Sequence, residues 1–273
     1  MEWKRNYHTH TRFCDGQNTP EEVAAAAFEA GMVSLGFSGH SHTAFDESYC
    51  MSHEAAREYR ERILALRDQY AGRMEILCGL EYDYYSDESK DGWDYRIGSV
   101  HYVEKDGDFI PVDESAAVTE GAVRNHYDGD IYAFAEDFFR LEGDVVRKTG
   151  CDIIGHFDLI KKFNRKGVTL LDEQNPRYRA AWQQAVRELV PYGVPFEINT
   201  TPMSWRADGD PYPSREILEE IHRLGGKITI STDSHQVEML QRGVHEALAL
   251  AKEIGFTELV AMSPDGAKTL EIG

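Results

Sequence analysis

Short apolar runs alternate with helical patterns along nearly all of this 273-residue chain. In the first unit, an apolar run at residues 3–8 is followed by the capping box Thr19-Pro20-Glu21-Glu22, which has proline at the first helical position. The helix that it starts is predicted to end near Gly31. Strands that alternate with helices predict right-handed βαβ units and a parallel sheet.

The same alternation recurs about seven times, which favours a closed barrel over an open sheet, although periodicity alone leaves closure open. Strands are predicted at residues 3–8, 33–38, 74–80, 95–100, 151–155, 195–199 and 227–231, with a short last strand at 259–262. Helices are predicted at residues 19–31, 52–70, 130–149, 173–191, 214–224 and 236–254. We therefore expect an α/β fold in one domain that spans residues 1–273.

Polar residues of metal-binding types stand where the predicted strands end. They are His8, His10, His40, Glu81, His101, His156, Glu197, Asp233 and His235. The carboxyl ends of parallel barrel strands open on one face, and barrel active sites are built there. We therefore expect these side chains to converge at one mouth. Four other histidines fall away from these strand ends and are interpreted as surface or packing residues: His53, His126, His222 and His245.

Imidazole and carboxylate ligands suit divalent zinc, manganese and iron. Because residues i and i+2 of a strand face the same way, His8 and His10 are predicted to face one ion, as are Asp233 and His235. A carboxylate such as Glu81 is able to bridge two cations, which lie about 3.5–4 Å apart in two-metal hydrolases. The pattern therefore predicts a metal-dependent hydrolase.

Composition and missing motifs argue against several other classes of protein. The net charge of −19, without a run of basic residues, argues against a nucleic-acid partner. We expect no membrane span, because every apolar run is too short, and no signal segment at residues 1–7. Four widely spaced cysteines predict reduced thiols in a cytoplasmic protein. Nucleophile-elbow, P-loop and dinucleotide-binding motifs are absent from the sequence. The oligomeric state stays open, because no heptad pattern or exposed edge stands out.

Several motifs together resemble the PHP (polymerase and histidinol phosphatase) superfamily of metal-dependent phosphoesterases. They are His8-Thr9-His10-Thr11, Gly39-His40, Gly79-Leu80-Glu81, Gly98-Ser99-Val100-His101-Tyr102, Ile154-Gly155-His156-Phe157-Asp158 and Ser231-Thr232-Asp233-Ser234-His235. Two further segments resemble the histidinol-phosphatase branch: Phe196-Glu197-Ile198-Asn199-Thr200 and Pro211-Tyr212-Pro213-Ser214. The resemblance runs from about residue 5 to residue 260 and implies a distorted (β/α)₇ TIM-like barrel.

The resemblance also implies two to three divalent ions of zinc, manganese or iron at the barrel mouth. The first set of implied ligands is His8, His10, Glu81 and Asp233. The second set shares Glu81 and adds His101 and His156, and the third consists of Asp15, His40 and His235. Many relatives have histidine near the position of Asp15. This difference bears on the identity and affinity of the third metal more than on the existence of the third site. Asp15-Gly16 is also an ordinary turn signal.

The implied reaction is hydrolysis of a phosphomonoester, L-histidinol phosphate in the histidinol-phosphatase branch, by a hydroxide that bridges two metals. Asp233 or His235 is the candidate catalytic proton donor to the leaving alcohol. Candidate substrate-binding residues are Arg206, which is the first choice for the phosphate, Lys161, Asn199 and His42. Lys161 and Lys162, which follow the strand that ends at His156, are weaker phosphate candidates than Arg206, and a solvated surface position is the alternative for each. A plain loop position is the alternative for His42. Alternative functions are hydrolysis of another small phosphomonoester, a nucleotide or a phosphodiester, and a non-catalytic metal-binding module.

Overall fold

The computed structural model describes residues 2–164, 169–204, 206 and 209–273. Its strands, in chain order, are Arg5–Asn6 (β1), Ser34–Phe37 (β2), Glu75–Asp83 (β3), Tyr95–Ser99 (β4), Tyr102–Lys105 (β5), Asp108–Pro111 (β6), Ile153–Ile154 (β7), Phe196–Asn199 (β8), Ile228–Ser231 (β9), Glu258–Ala261 (β10) and Lys268–Glu271 (β11). Its α-helices are Pro20–Glu29 (α1), His53–Tyr70 (α2), Ala116–His126 (α3), Ile131–Thr149 (α4), Pro176–Leu189 (α5), Arg215–Arg223 (α6) and Val244–Ile254 (α7).

Seven parallel strands form the main sheet, in the order β1-β2-β3-β4-β7-β8-β9. A parallel bridge between Thr9 and Ser234 joins the segment after β1 to the segment after β9. Its backbone hydrogen bonds run from His10 N to Ser234 O at 2.8 Å and from Ser234 N to His8 O at 3.0 Å. The first and last strands therefore meet at their carboxyl ends, and the predicted barrel is confirmed.

The helices alternate with the barrel strands, as the sequence predicts. The side chain of Thr19 accepts a hydrogen bond from Glu22 N, and the side chain of Glu22 accepts one from Thr19 N, so the capping box at the start of α1 is confirmed. None of the described helices combines the length and the apolar character that a membrane span requires. All four cysteines are free, in agreement with the predicted thiols.

Between β4 and α4, where the sequence analysis predicts neither a strand nor a helix, the structure has regular elements. Strands β5 and β6 form an antiparallel hairpin, and helix α3 follows it. Asp106 and Gly107 form the hairpin turn with φ of 55° and 89°, as expected for Asp-Gly in a type I′ turn. The side chain of Ser115 caps α3 by accepting a hydrogen bond from Val118 N. Both elements have a local sequence signal, the Asp-Gly turn of the hairpin and the N-capping serine of α3.

Two predicted elements near the end of the chain also differ. The predicted helix at residues 236–254 divides into a 3₁₀ turn at Val237–Met239 and helix α7, because Gly243 takes a left-handed conformation with φ of 73°. The last predicted strand exists as β10, but it pairs in antiparallel fashion with β11 and lies outside the barrel sheet. The barrel is therefore complete at β9.

A buried tyrosine, Tyr95 at the start of β4, joins three of the barrel strands. Its hydroxyl donates to the carbonyl of Phe37 at 3.1 Å and to that of Tyr7 at 2.5 Å. A Cβ atom on Gly36 or Gly79 would overlap this side chain. Glycine is therefore required at both positions, because only a residue without a side chain leaves room for the ring.

We predict that Gly79→Ala lowers the free energy of unfolding by about 1–3 kcal/mol, because the added methyl group overpacks the core against Tyr95. Denaturant unfolding of the purified variant measures this change. The matched control is Gly121→Ala in α3, where a Cβ meets nothing within 4 Å and alanine favours the helix. Equal stability of the Gly79 variant and the wild type would contradict the packing argument.

Candidate metal centre

The structure brings together all nine side chains that the sequence analysis predicts as ligands. They form four overlapping groups in which the potential ligand atoms lie within 4.8 Å of one another: His8, His10 and Asp233; His8, Glu81 and His156; His40, Glu81 and His101; and His10, Asp15, His40 and His235. Their convergence at one end of the barrel follows from the parallel sheet, whose strands all end on the same side. Their role as ligands stays a prediction.

Glu81 is the centre of this arrangement. It lies near the carboxyl end of β3, where its backbone forms a parallel bridge with His40. One side-chain oxygen, Oε2, faces Nε2 of His8 at 3.1 Å, Nδ1 of His40 at 2.9 Å and Nε2 of His10 at 3.4 Å. The other, Oε1, faces Nε2 of His156 at 2.8 Å and Nε2 of His101 at 3.3 Å. The two oxygens therefore face two different histidine sets.

Asp233 completes the first set from the segment after β9. Its Oδ1 lies 3.1 Å from Nε2 of His10 and 3.5 Å from Nε2 of His8. The residue adopts a left-handed backbone conformation with φ of 49°, which is uncommon for a residue other than glycine. Such strain is often found at functional sites, where the surrounding structure holds it in place.

Asp15 stands beside the first set, with histidines on either side. Its Oδ2 lies 3.1 Å from Nε2 of His235, and its Oδ1 lies 3.6 Å from Nε2 of His40. A Cβ on Gly16 would overlap the backbone of His10 and Thr11, so this tight turn requires glycine. Asp15 is therefore a turn residue and a candidate ligand at once, which unites the two interpretations that the sequence left open.

Several histidines of the centre are oriented by carboxylates behind them. Nδ1 of His8 lies 2.7 Å from Oε1 of Glu197, and Nδ1 of His101 lies 3.1 Å from Oδ2 of Asp83. Such carboxylates fix the tautomer and ring orientation of metal-binding histidines. Sequence reasoning placed Glu197 at a strand end without giving it this role, and it missed Asp83. The i, i+2 spacing of Asp83 from Glu81 in β3 is the signal that would have found it.

The donor atoms of the centre fit a metal ion. Among the described residues, the buried atoms without a hydrogen-bond partner include His8 Nε2, His10 Nε2 and Glu81 Oε2, which face one another across the first set. Buried polar atoms are rarely left unpaired, because desolvation without a partner is costly. A divalent cation between these atoms would satisfy all three of them, and nitrogen and carboxylate donors suit zinc, manganese or iron.

The charges inside the centre also favour a cation. Burial alone would raise the pKa of Glu81, but the neighbouring His40 and His8 hold it well below its usual range. The pKa of Asp233 is likewise held well below its usual value, against its burial, by His8 and His10. Burial and the nearby charges of His235 and His40 lower the pKa of His10 to about 3. In the metal-free protein both carboxylates are therefore charged and His10 is neutral. Against burial, the neighbouring carboxylates raise the pKa of His8 and His40 well above its usual value, so a cation that takes their place would release protons on binding.

A cavity of about 440 Å³ opens onto the centre. Its lining includes one of the phosphate candidates from the sequence and leaves out the others. Described residues of the lining include Lys162, Asp233 and His235, but neither Lys161 nor Arg206. The fully buried Lys161 pairs with Asp158 at 2.7 Å, and Nη2 of Arg206 lies 3.1 Å from Oε1 of Glu173. The structure therefore does not bring these two cations to the cavity.

The remaining two predicted substrate-binding residues also lie outside the lining. Nδ2 of Asn199 donates to Asp233 Oδ2 and to Glu197 Oε2, each at 3.2 Å, so it orients carboxylates of the centre. His42 contacts Asp87 and Glu47 through its two ring nitrogens. The structure thus gives both side chains other contacts.

We predict that Glu197→Gln lowers metal affinity ten- to a hundredfold, because His8 loses the carboxylate that orients it. Competition with a chromophoric chelator measures the affinity. Glu188→Gln is the control, because this exposed glutamate accepts a hydrogen bond from the exposed Gln184 and belongs to none of the candidate ligand groups of the described residues. Unchanged affinity in the Glu197 variant would contradict the orienting role.

Comparisons with known proteins agree with this geometry. The PHP domain family model matches residues 6–201. A Deinococcus radiodurans protein named "Probable histidinol-phosphatase" is 30% identical, over 84% of this chain and 85% of its own. A Schizosaccharomyces pombe protein of the same name is 28% identical, over 96% of this chain and 91% of its own.

A solved structure of similar fold is that of histidinol phosphate phosphatase from Lactococcus lactis, complexed with zinc, L-histidinol and phosphate. It superposes with a TM-score of 0.76 at 22% identity, and the match covers 98% of this chain and 100% of that chain. This likeness supports the barrel fold, and the family model covers well over half of the sequence. The chain is therefore a member of the PHP domain family.

Proposed function

We propose that this protein is a metal-dependent phosphomonoesterase that converts L-histidinol phosphate and water to L-histidinol and phosphate. One observation carries the proposal: the Glu81 carboxylate divides its oxygens between two histidine sets at the base of a substrate-sized cavity. The names of the relatives support the choice of substrate.

The proposed cofactors are two to three divalent cations, zinc, manganese or iron. His8, His10, Glu81 and Asp233 would hold the first, Glu81, His101 and His156 the second, and Asp15, His40 and His235 the third. When bound, such cations supply an activated water and neutralise charge on the phosphoryl group. Asp233 and His235 both line the cavity. Of the two, we propose His235 as the proton donor to the leaving alcohol, because the pKa of Asp233 is held well below its usual value and its charged carboxylate has no proton to give.

The cavity lining suits a small substrate with a phosphate at one end and an ammonium group at the other. Lys162, which pairs with Asp113 at 2.9 Å, is the lysine among the described residues of the lining and is the proposed phosphate contact. Asp46 and Glu114 also line the cavity and provide negative charge for the amine. The net charge of −19 supports a small phosphorylated substrate over a nucleic acid.

A substrate panel tests the proposal. Protein loaded with manganese, zinc or iron is assayed for phosphate release from L-histidinol phosphate, sugar phosphates and nucleotides, and for cleavage of a phosphodiester. We expect the highest kcat/KM for L-histidinol phosphate. Equal low rates on all substrates would contradict this substrate, and no rate with any metal would favour a non-catalytic metal-binding module.

We predict that Lys162→Ala raises KM for L-histidinol phosphate about ten- to a hundredfold, the effect expected for losing one charge-assisted hydrogen bond to phosphate. Steady-state kinetics on metal-loaded protein measures KM and kcat. The control is Lys105→Ala, because this lysine pairs with Asp137 outside the cavity lining. If Arg206→Ala raises KM and Lys162→Ala does not, the phosphate contact has been assigned to the wrong cation.

A further inference from the structure

A second cluster of histidine and carboxylate side chains lies outside the centre described above. His42 follows β2, His53 is the first residue of α2, and Asp87 follows β3. One potential ligand atom from each of the three lies within 4.8 Å of the others. None of the three belongs to the four groups of the central site. The cluster therefore shares no candidate ligand with the central site.

One nitrogen of each of the two histidine rings, here called the inner nitrogen, faces the carboxylate of Asp87. Oδ1 of Asp87 lies 2.6 Å from Nδ1 of His42 and 3.6 Å from Nε2 of His53. The ring centroids of His42 and His53 are 4.2 Å apart. Two imidazole nitrogens and a carboxylate form a ligand set that zinc commonly takes in proteins, with water at the fourth position.

The outer nitrogen of each ring is already engaged by a different carboxylate. Nε2 of His42 lies 3.1 Å from Oε1 of Glu47, and Nδ1 of His53 lies 2.7 Å from Oε2 of Glu88. Metal-binding histidines almost always donate their other ring N–H to a carboxylate, a carbonyl or a water. Nδ1 of His42 is also within hydrogen-bond distance of Asp87, so a cation here would take the place of the shared proton, and Glu47 would keep the remaining proton on Nε2. The outer carboxylates are therefore arranged as they are behind metal-binding histidines.

The local charge favours a cation at the same point. Three carboxylates, those of Asp87, Glu47 and Glu88, surround two histidines. In the part of the chain that the structure describes, the ion pairs of these three carboxylates are with His42 and His53 and not with lysine or arginine. Even with both histidines protonated, the three carboxylates leave the cluster with a net negative charge, and a divalent ion that displaces those protons would offset it.

We propose that His42, His53 and Asp87 bind a divalent cation of the zinc type at a site separate from the catalytic centre. The cation would join the loop after β2, the start of α2 and the turn after β3. The same loop supplies Asp46 and Tyr49 to the wall of the cavity. A cation here would therefore hold one wall of the cavity against α2, and its role would be structural.

Zinc content tests the proposal directly. Metal-free wild-type protein and the variants His53→Ala and Asp87→Asn are brought to equilibrium by dialysis against the same free zinc concentration, and zinc per chain is measured. We expect the wild type to hold one equivalent more than either variant. Both side chains are about half exposed, so neither substitution disturbs the core.

The matched control is His126→Ala. His126 also lies between two aspartates, 3.9 Å from Asp106 and 3.6 Å from Asp108, but it has no second histidine in its group. This variant is expected to keep the zinc content of the wild type. Equal zinc content in the wild type and both cluster variants would overturn the second site. That result would leave the phosphatase proposal intact, because the two sites share no ligand.

Discussion

The buried carboxylate of Glu81 is the group on which the rest of this centre depends. It is 1% exposed, and five histidine rings place a nitrogen within 3.4 Å of its oxygens: His8, His10, His40, His101 and His156. A buried carboxylate without partners would be neutral, since desolvation raises its pKa. Here the histidines hold the pKa of Glu81 well below its usual range. The Glu81 carboxylate therefore stays negatively charged and is able to bind a cation on either side.

Barrel closure brings the remaining candidate ligands to that carboxylate. The bridge between Thr9 and Ser234 sets the pair His8 and His10 beside the pair Asp233 and His235, although the two segments are at opposite ends of the sequence. Glu197 then orients His8 from β8, one strand away. The geometry of the centre is thus a property of the closed sheet, and a slip in the register of any of these strands would separate the ligands.

The ligand positions could be predicted from sequence because short apolar runs mark where parallel strands end. Asp233 and His235 needed only that rule and the i, i+2 spacing. Contacts between segments could not be predicted in the same way. The sequence makes Lys161 a phosphate candidate because it follows the strand that ends at His156, but Lys161 pairs with Asp158 in the interior, where lysines are seldom found.

His53 shows the same limit for a surface residue. Its place at the start of a helix indicates only an exposed side chain, and the sequence does not show that Asp87, from another loop, lies beside it. The hairpin of β5 and β6 is a different case. Its Asp-Gly turn is visible in the sequence, but an alternation of parallel strands and helices does not predict an antiparallel hairpin. The barrel pattern therefore gives no strands in this segment.

Anomalous diffraction from crystals of the zinc-loaded protein, recorded above and below the zinc absorption edge, tests the central claim most directly. The account predicts two strong peaks, one on each side of Glu81, separated by about 3.5–4 Å as in two-metal hydrolases. One peak would lie against His8, His10 and Asp233, and the other against His101 and His156. A single peak at Glu81, or none beside it, would contradict a carboxylate shared by two ions, whatever peaks appear at the Asp15 and His42 sites.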